Sequence, residues 1–326
     1  MNGLPNTELQ RELKRGGSGR LRRWLDSPPP SLAIAIGPQH VAGLRRQAGG
    51  PQPQGSAVST LPAGAVKPAA QHVNLAQPAI VQAALREVLD ALAGQGNEII
   101  LLVPEMTARL TVLEFEQLPD SEPELRQLVL FRLRKALPFE PEETAMSLMV
   151  ERARKTAASA RVLAAIADRR RLDEYEEAVA EAGARAVTVM PAALAALAAL
   201  PELRGGALLV KADACQLTAA FAWEGYPRFC RVVESNTDGQ PDDADLYTTL
   251  AYYRDFLEQQ QGMKPNEPPQ VITAGLDAAR LARLRLEQNW AELRDARDLA
   301  PPPHHWPAGS EGEWLALLGA MENSFL

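Results

Sequence analysis

The chain has 326 residues, 46% of them hydrophobic and 23% charged, with a formal net charge of -7. That length suits two domains, and the composition is that of an ordinary globular protein. The acidic balance argues against a general nucleic-acid binder, and no apolar run approaches the roughly 18 residues that a bilayer crossing needs.

Residues 1–30 read as a tail. Arg11, Lys14, Arg15, Arg20, Arg22 and Arg23 outnumber Glu8, Glu12 and Asp26, and Pro28-Pro29-Pro30 closes the segment as a stiff spacer. It is either a solvated arm or a basic segment whose Trp24 meets an anionic membrane surface. It has no apolar stretch of the kind a secretory signal carries. With Cys215 and Cys230 as its only cysteines, the chain reads as a cytoplasmic protein with reduced thiols. A two-residue turn at Glu224-Gly225 would set Cys215 opposite position 234 and Cys230 opposite position 219, too far apart for a disulfide.

The folded part begins at Ser31. Leu32–Gly37 reads as a buried strand and turn, Val41–Arg46 as the returning strand and Ala57–Leu61 as a third, after a Gly/Pro/Gln loop over 49–55. Val81, Leu85, Val88, Leu89 and Leu92 recur at helical spacing, with Gly94 near the end. Ile99–Val103 is a continuous apolar run, the pattern of a strand covered on both faces.

Arg109–Glu116 reads as a strand. Ser121-Glu-Pro-Glu124 is a capping box for a helix that buries Leu125, Leu128, Val129 and Leu133 and stops before Pro138. Met146, Leu148 and Val150 alternate on a strand, Val162–Ala167 forms another, and Asp168 caps a helix ending at Gly183. Ala186–Val189 is strand-like. The second half offers Ala207–Val210 and a hairpin of Cys215–Trp223 with Pro227–Val233. A helix follows through Leu246, Leu250, Tyr253 and Leu257, then a strand at Val271–Thr273. Two further helices close the chain, one near 278–288 and one with Trp314, Leu315, Leu318 and Met321. Strands and crossover helices together point to α/β layers, and the halves share a rhythm too weak to count as a repeat.

Four features together carry a resemblance: Leu61-Pro-Ala-Gly64, Leu102-Val-Pro104, the stretch Phe131–Phe139 followed by Glu140-Pro-Glu-Glu143, and Val162–Gly183. Over residues 31–325 the sequence resembles the PilM-type actin-like proteins of bacterial type IV pilus assembly. The resemblance implies a two-domain actin-like (ribonuclease H-like) α/β fold. Its expected parts are a tail at 1–30, a first core at 31–108, an inserted strand–helix–strand–strand subdomain at 109–185, and a truncated second domain at 186–326. It further implies a scaffold peripheral to the inner membrane. The expected partner is the cytoplasmic N-terminal segment of a PilN-like bitopic membrane protein, with other pilus or secretion motor components as further partners. That segment would dock in a groove between the core and the inserted module. Phe131, Leu133, Arg134, Lys135, Leu137 and Phe139 are the candidate contacts, although a basic helix end also complements the helix dipole and the apolar residues also suit a core.

The same resemblance exposes losses. Where the family carries an acid in its first phosphate hairpin, this chain has Ala35, followed by Gly37 and Pro38; alanine offers Mg²⁺ no oxygen, and proline removes an N–H. In the second hairpin Lys211 replaces the acid and Asp213 the glycine, and of the family's double glycine only Gly275 remains. The polar stretch Glu234–Asp245 stands where actin-like proteins carry a whole subdomain, and a loop cannot form that wall of the cleft. These changes predict a pseudo-ATPase that binds no cofactor and no metal. The alternatives are a divergent ATPase or sugar-kinase relative holding Mg-ATP through Gly37, Lys211 and Gly275, and a GspL-like type II secretion component. His304-His305 has no third metal ligand at a useful spacing, and Glu142-Glu143 and Asp242-Asp243 read as solvated turn residues.

Overall fold

A computed structural model describes residues 30–47, 53–94, 96–140, 143–151, 160–200, 206–235, 242–259, 270–287 and 293–322. The expectations for the tail, for most of the 49–55 loop and for the centre of the Glu234–Asp245 stretch lie outside them.

Leu32–Ile36 (β1), His40–Arg46 (β2) and Pro53–Thr60 (β3) form an antiparallel meander. β3 starts four residues before Ala57, because Pro53 and Gly55 continue the pairing with β2 along the sheet edge, where a missing N–H is tolerated. Glu98–Val103 (β4) and Arg185–Pro191 (β8) join in parallel, giving the order β3-β2-β1-β4-β8. Pro78–Ala91 (α1) and Arg169–Glu181 (α3) cover one face. Asp168 caps α3 through the Arg170 N–H at 2.9 Å, as its sequence position predicts.

Between β4 and α3 lies a separate module. Arg109–Phe115 (β5), Thr144–Glu151 (β6) and Ala160–Asp168 (β7) form a sheet of order β5-β7-β6. Glu122–Leu133 (α2) packs on it through Leu125, Val129 and Leu133, with Ser121 Oγ accepting from the Glu124 N–H at 3.4 Å. The helix ends at Leu133 rather than just before Pro138; Arg134 and Lys135 sit in the turn that follows. By sheet membership the module is 109–168. β8 pairs with β4, and Tyr175, Ala178 and Val179 of α3 pack on the first sheet's core, so a boundary at 185 falls inside that layer.

Ala207–Ala212 (β9), Gln216–Trp223 (β10), Tyr226–Glu234 (β11), Gln270–Ala274 (β12) and Leu293–Asp295 (β13) form the second sheet, order β11-β10-β9-β12-β13. Its covering helices are Asp243–Gln259 (α5) and Ala278–Glu287 (α6). α5 begins three residues before Leu246, with Asp243 and Asp245 in its first turn, where carboxylates suit the helix dipole. Asp243 is therefore no turn residue; it pairs with Arg280 at 3.1 Å and Arg283 at 3.0 Å. Glu224 and Gly225 do form the two-residue turn, at φ 53° and 77°. A bulge after Phe221 shifts the register by one, so Cys230 faces Ala220 rather than Ala219, and Ser235 rather than Glu234 bonds the Cys215 carbonyl, at 2.8 Å. Both cysteines are free thiols.

Two helices lie between the sheets. Ala192–Ala198 (α4), which the alanine-rich run does not announce by periodicity, crosses Glu311–Met321 (α8). Ala296–Leu299 forms a short helix (α7) directly after β13. A Cβ on Gly319 would come within 1.8 Å of the Ala195 carbonyl oxygen, so the crossing requires glycine. Ala33, Ala35, Ala42, Ile100 and Leu102 face this layer from the first sheet, and Leu209, Ala220, Ile272 and Ala274 from the second. The molecule is thus layered helix, sheet, helix, sheet, helix, with the cleft between sheets above the α4–α8 pair.

Candidate functional site

Two hairpins meet at the cleft. In the first, the Gly37 N–H donates to the His40 carbonyl at 2.8 Å; in the second, the Asp213 N–H donates to the Gln216 carbonyl at 2.9 Å. Both of these N–H groups are thereby used within their own turns. β4 runs out at Val103-Pro104 into a 3₁₀ turn, Glu105–Thr107, that brings the Glu105 carboxylate into the same space.

Lys211 lies in a fully buried strand, and its side chain is 3% exposed. It reaches Glu105 at 3.3 Å and also binds Asp213. Gln216 Nε2 donates to Glu105 and, at 2.9 Å, to Asp213, while Gln216 Oε1 accepts from the Met106 N–H at 3.2 Å. Glu313, in the first turn of α8, closes the far side, 4.0 Å from His40 Nδ1. A Cβ on Gly37 would meet the Glu313 carboxylate at 2.9 Å, and one on Gly312 the Lys211 stem at 2.9 Å.

Burial disfavours the Lys211 ammonium, but the carboxylates of Asp213, Glu105 and Glu313 outweigh it and hold its pKa above the ordinary lysine value. Burial pushes Asp213 up to about 6, with Lys211 opposing and Glu313 and Glu105 adding. For Glu313, burial is overcome by the neighbouring His40 and Lys211, and its pKa falls below the usual glutamate range. What remains between Ala35–Pro38, Leu102–Pro104, Ala192, Lys211, Asp213 and Glu313 is a cavity of about 10 Å³. That is room for about one water molecule.

The structure therefore brings Ala35, Gly37, Lys211 and Asp213 together. Gly275 follows β12 beside them, at φ 79°, where a Cβ would lie 2.1 Å from the Ala212 carbonyl oxygen. Sequence reasoning misses Glu105, Gln216 and Glu313. The available signal was Lys211 itself: a cation inside an apolar strand requires an anionic partner from elsewhere.

A second concavity separates the module from the first sheet. Cavities of about 380 and 140 Å³ run between β6–β7 and β8, lined by Ala145, Ser147, Met149, Leu163, Ala165, Val189 and Met190 among others. β6 and β8 are edge strands of their sheets. Strand alternation explains the lining: Val162, Ala164 and Ile166 point to α2, so Leu163 and Ala165 point to the groove. Pro227 of β11 completes one end.

The six helix-end residues lie on the module's other side. Leu133 is buried in the module core, and Leu137 and Phe139 pack against that core. Phe131 is 72% exposed, with the Arg134 guanidinium 5.8 Å from its ring centroid, and Lys135 is exposed beside it. None of the six lines the groove.

No protein-family model and no curated protein sequence matches the chain. Among solved structures, a chain of a PilM–PilN type IV pilus biogenesis complex matches with a TM-score of 0.67 at 15% identity, over 91% of this chain and 98% of that one. The cytoplasmic domain of EpsL, an inner-membrane component of the type II secretion system of Vibrio cholerae, matches at TM-score 0.44 and 14% identity, over 74% and 80%. A protein of actin-like ATPase fold from Bacteroides thetaiotaomicron matches at 0.49 and 12%, over 88% and 94%. The fold is the two-domain actin-like fold, shared with the PilM–PilN chain over nearly its whole length. No helix of the described residues is long and apolar enough to cross a membrane.

Proposed function

We propose that the chain is a non-catalytic scaffold of a pilus or related secretion assembly, docking an extended cytoplasmic segment of a PilN-like membrane protein. The groove between β6–β7 and β8 carries this reading. It is open, mixed apolar and polar (Met149, Leu163 and Met190 beside Ser147, Arg169 and Glu176), and flanked by two edge strands, the setting in which an extended peptide adds main-chain hydrogen bonds and seats alternate side chains. The exposed Phe131 with Arg134 and Lys135 offers a second, separate anchor on the module. The cleft supports the absence of turnover, since the protein's own charges fill the space a nucleotide would take. Such a scaffold works at the cytoplasmic face of the inner membrane.

Thermal unfolding tests both halves of the proposal. Millimolar Mg-ATP is expected to leave the midpoint unchanged, whereas the cytoplasmic PilN peptide raises it; a ligand at 100 times its Kd adds about 2.7 kcal/mol. A clear upward shift with Mg-ATP would return the chain to the ATPases. Ala165→Glu, which puts a charge on the groove floor, is expected to weaken the peptide at least tenfold, on the order of 1.4 kcal/mol. Unchanged affinity in that variant would remove the groove from the reading.

A further inference from the structure

Among the described residues, three of the attachments between the two sides of the cleft bear on its closure; β11 also packs against β5 and the 105–107 turn. The first is the apolar α4–α8 layer, which both sheets share. The second is the ionic cluster, in which Glu105 comes from the first half and Lys211, Asp213 and Gln216 from the second. The third ties the second half to the module: the buried Arg228 guanidinium grips Glu151 of β6 with both of its terminal nitrogens and lies 5.6 Å from the Trp223 ring centroid. The bulge in β10–β11 falls at this point, so Arg228 is the extra residue that the register shift leaves over.

We infer that the Glu105–Lys211–Asp213–Gln216 cluster is a built-in clasp that holds the cleft shut without a ligand, and that closure sets the shape of the docking groove. The geometry supplies the link. β6 is the outer wall of the groove; Glu151 at its end is held by Arg228, and the adjacent Pro227 lines the groove itself. Movement of the second half away from Glu105 would carry Pro227 and Arg228 with it. The α4–α8 crossing, fixed by the glycine contact at Gly319, is the pivot that remains. A ligand in an actin-like cleft would pull the two sides together; here Lys211 of the second hairpin is tied to Glu105, in the turn after β4 on the other side, and a buried ion pair of this kind is better suited to fixing one arrangement than to adding stability.

The second part of this inference rests on the proposed docking function; the clasp itself does not. The test places spin labels at Glu177→Cys on α3 and Glu258→Cys on α5, both exposed, in a chain whose two native cysteines are replaced by alanine. Pulsed dipolar spectroscopy reads the distance between the halves, and fluorescence anisotropy reads the affinity of a labelled PilN peptide. Glu105→Gln keeps the shape and the Gln216 contact but removes the cross-cleft charge. It is expected to broaden and lengthen the distance distribution and to weaken the peptide roughly tenfold. Arg228→Gln is expected to weaken the peptide while leaving the distance unchanged. An unaltered distance in folded Glu105→Gln would overturn the clasp. An altered distance with unaltered affinity would overturn its coupling to the groove. A wild-type chain that ignores the peptide would sink the docking reading alone, with the distance still deciding the clasp.

Discussion

The two five-stranded sheets have the same order and the same hairpin register, yet their hairpins differ in chemistry. Gly37–His40 in the first matches Asp213–Gln216 in the second, which aligns Ala35 with Lys211 and Gly37 with Asp213. The strand pairings align Leu102 with Ala274 and hence Glu105 with Asp277. Asp277 serves only its own half, accepting from the Arg280 N–H at 2.9 Å at the start of α6. Glu105 instead crosses the cleft to Lys211. One backbone plan thus supports an apolar hairpin on one side and a charged one on the other, with the acid that balances it borrowed from the apolar side. Topology does not decide where charge sits; each half tolerates what the other compensates.

The asymmetry can be broken most sharply at Lys211. Lys211→Met leaves Glu105, Asp213 and Glu313 without their cation, and is expected to cost about 3–5 kcal/mol by denaturant titration. Replacing Lys211, Glu105 and Asp213 together with apolar residues of similar size should restore most of it. A single substitution without effect would mean that the cluster is not buried as described.

Gly275 sharpens the comparison next. Val103 stands at the matching place in the first half, but Gly275 combines positive φ with the close Ala212 carbonyl. Gly275→Ala is expected to lose about 1–3 kcal/mol through strain alone, measured by the thermal midpoint.

The pH dependence follows from the second hairpin. Asp213, raised to about 6 when folded against 3.8 otherwise, binds its proton more tightly in the native state. Its contribution therefore makes stability fall as pH rises from about 4 to about 6. Glu313, lowered on folding, acts oppositely: its contribution is present above 4.5 and is lost as pH falls through the folded value. Asp213→Asn should remove the downward trend and leave the Glu313 limb, as read from unfolding at a series of pH values.

The smallest effect is expected on the open face of the module. Val129→Ala, in its core, should cost about 2 kcal/mol. Phe131→Ala, two residues on but on the open face, should stay within about 0.5 kcal/mol, so any loss of partner affinity there is read without a folding defect.

Much of the fold was legible residue by residue. The apolar runs at β1, β4, β9 and β12, the cap at Ser121 and the Glu224-Gly225 turn all state their own conformations, because burial and backbone geometry act locally. The alanine at position 35 and the cation at Lys211 were legible too. α4 was not, since a run of alanine and leucine buried nearly all round has no polar face to give a period. The short strand β13 and the helix after it were missed because their pairing partners lie elsewhere in the chain.

What the sequence by itself determined, then, was most of the strands and helices and the residue types, alanine at 35 and lysine at 211, that stand in the two hairpins. Only the tertiary structure decided that Lys211 is matched by Glu105 and Gln216 rather than left to meet a ligand, and that Leu133, Leu137 and Phe139 face the module core while the groove opens on the opposite side of its sheet. The physical reason is the same in both cases. A side chain's partners across a cleft, and the face a strand turns toward its neighbour, are set by contacts between residues far apart in sequence, which local periodicity does not encode.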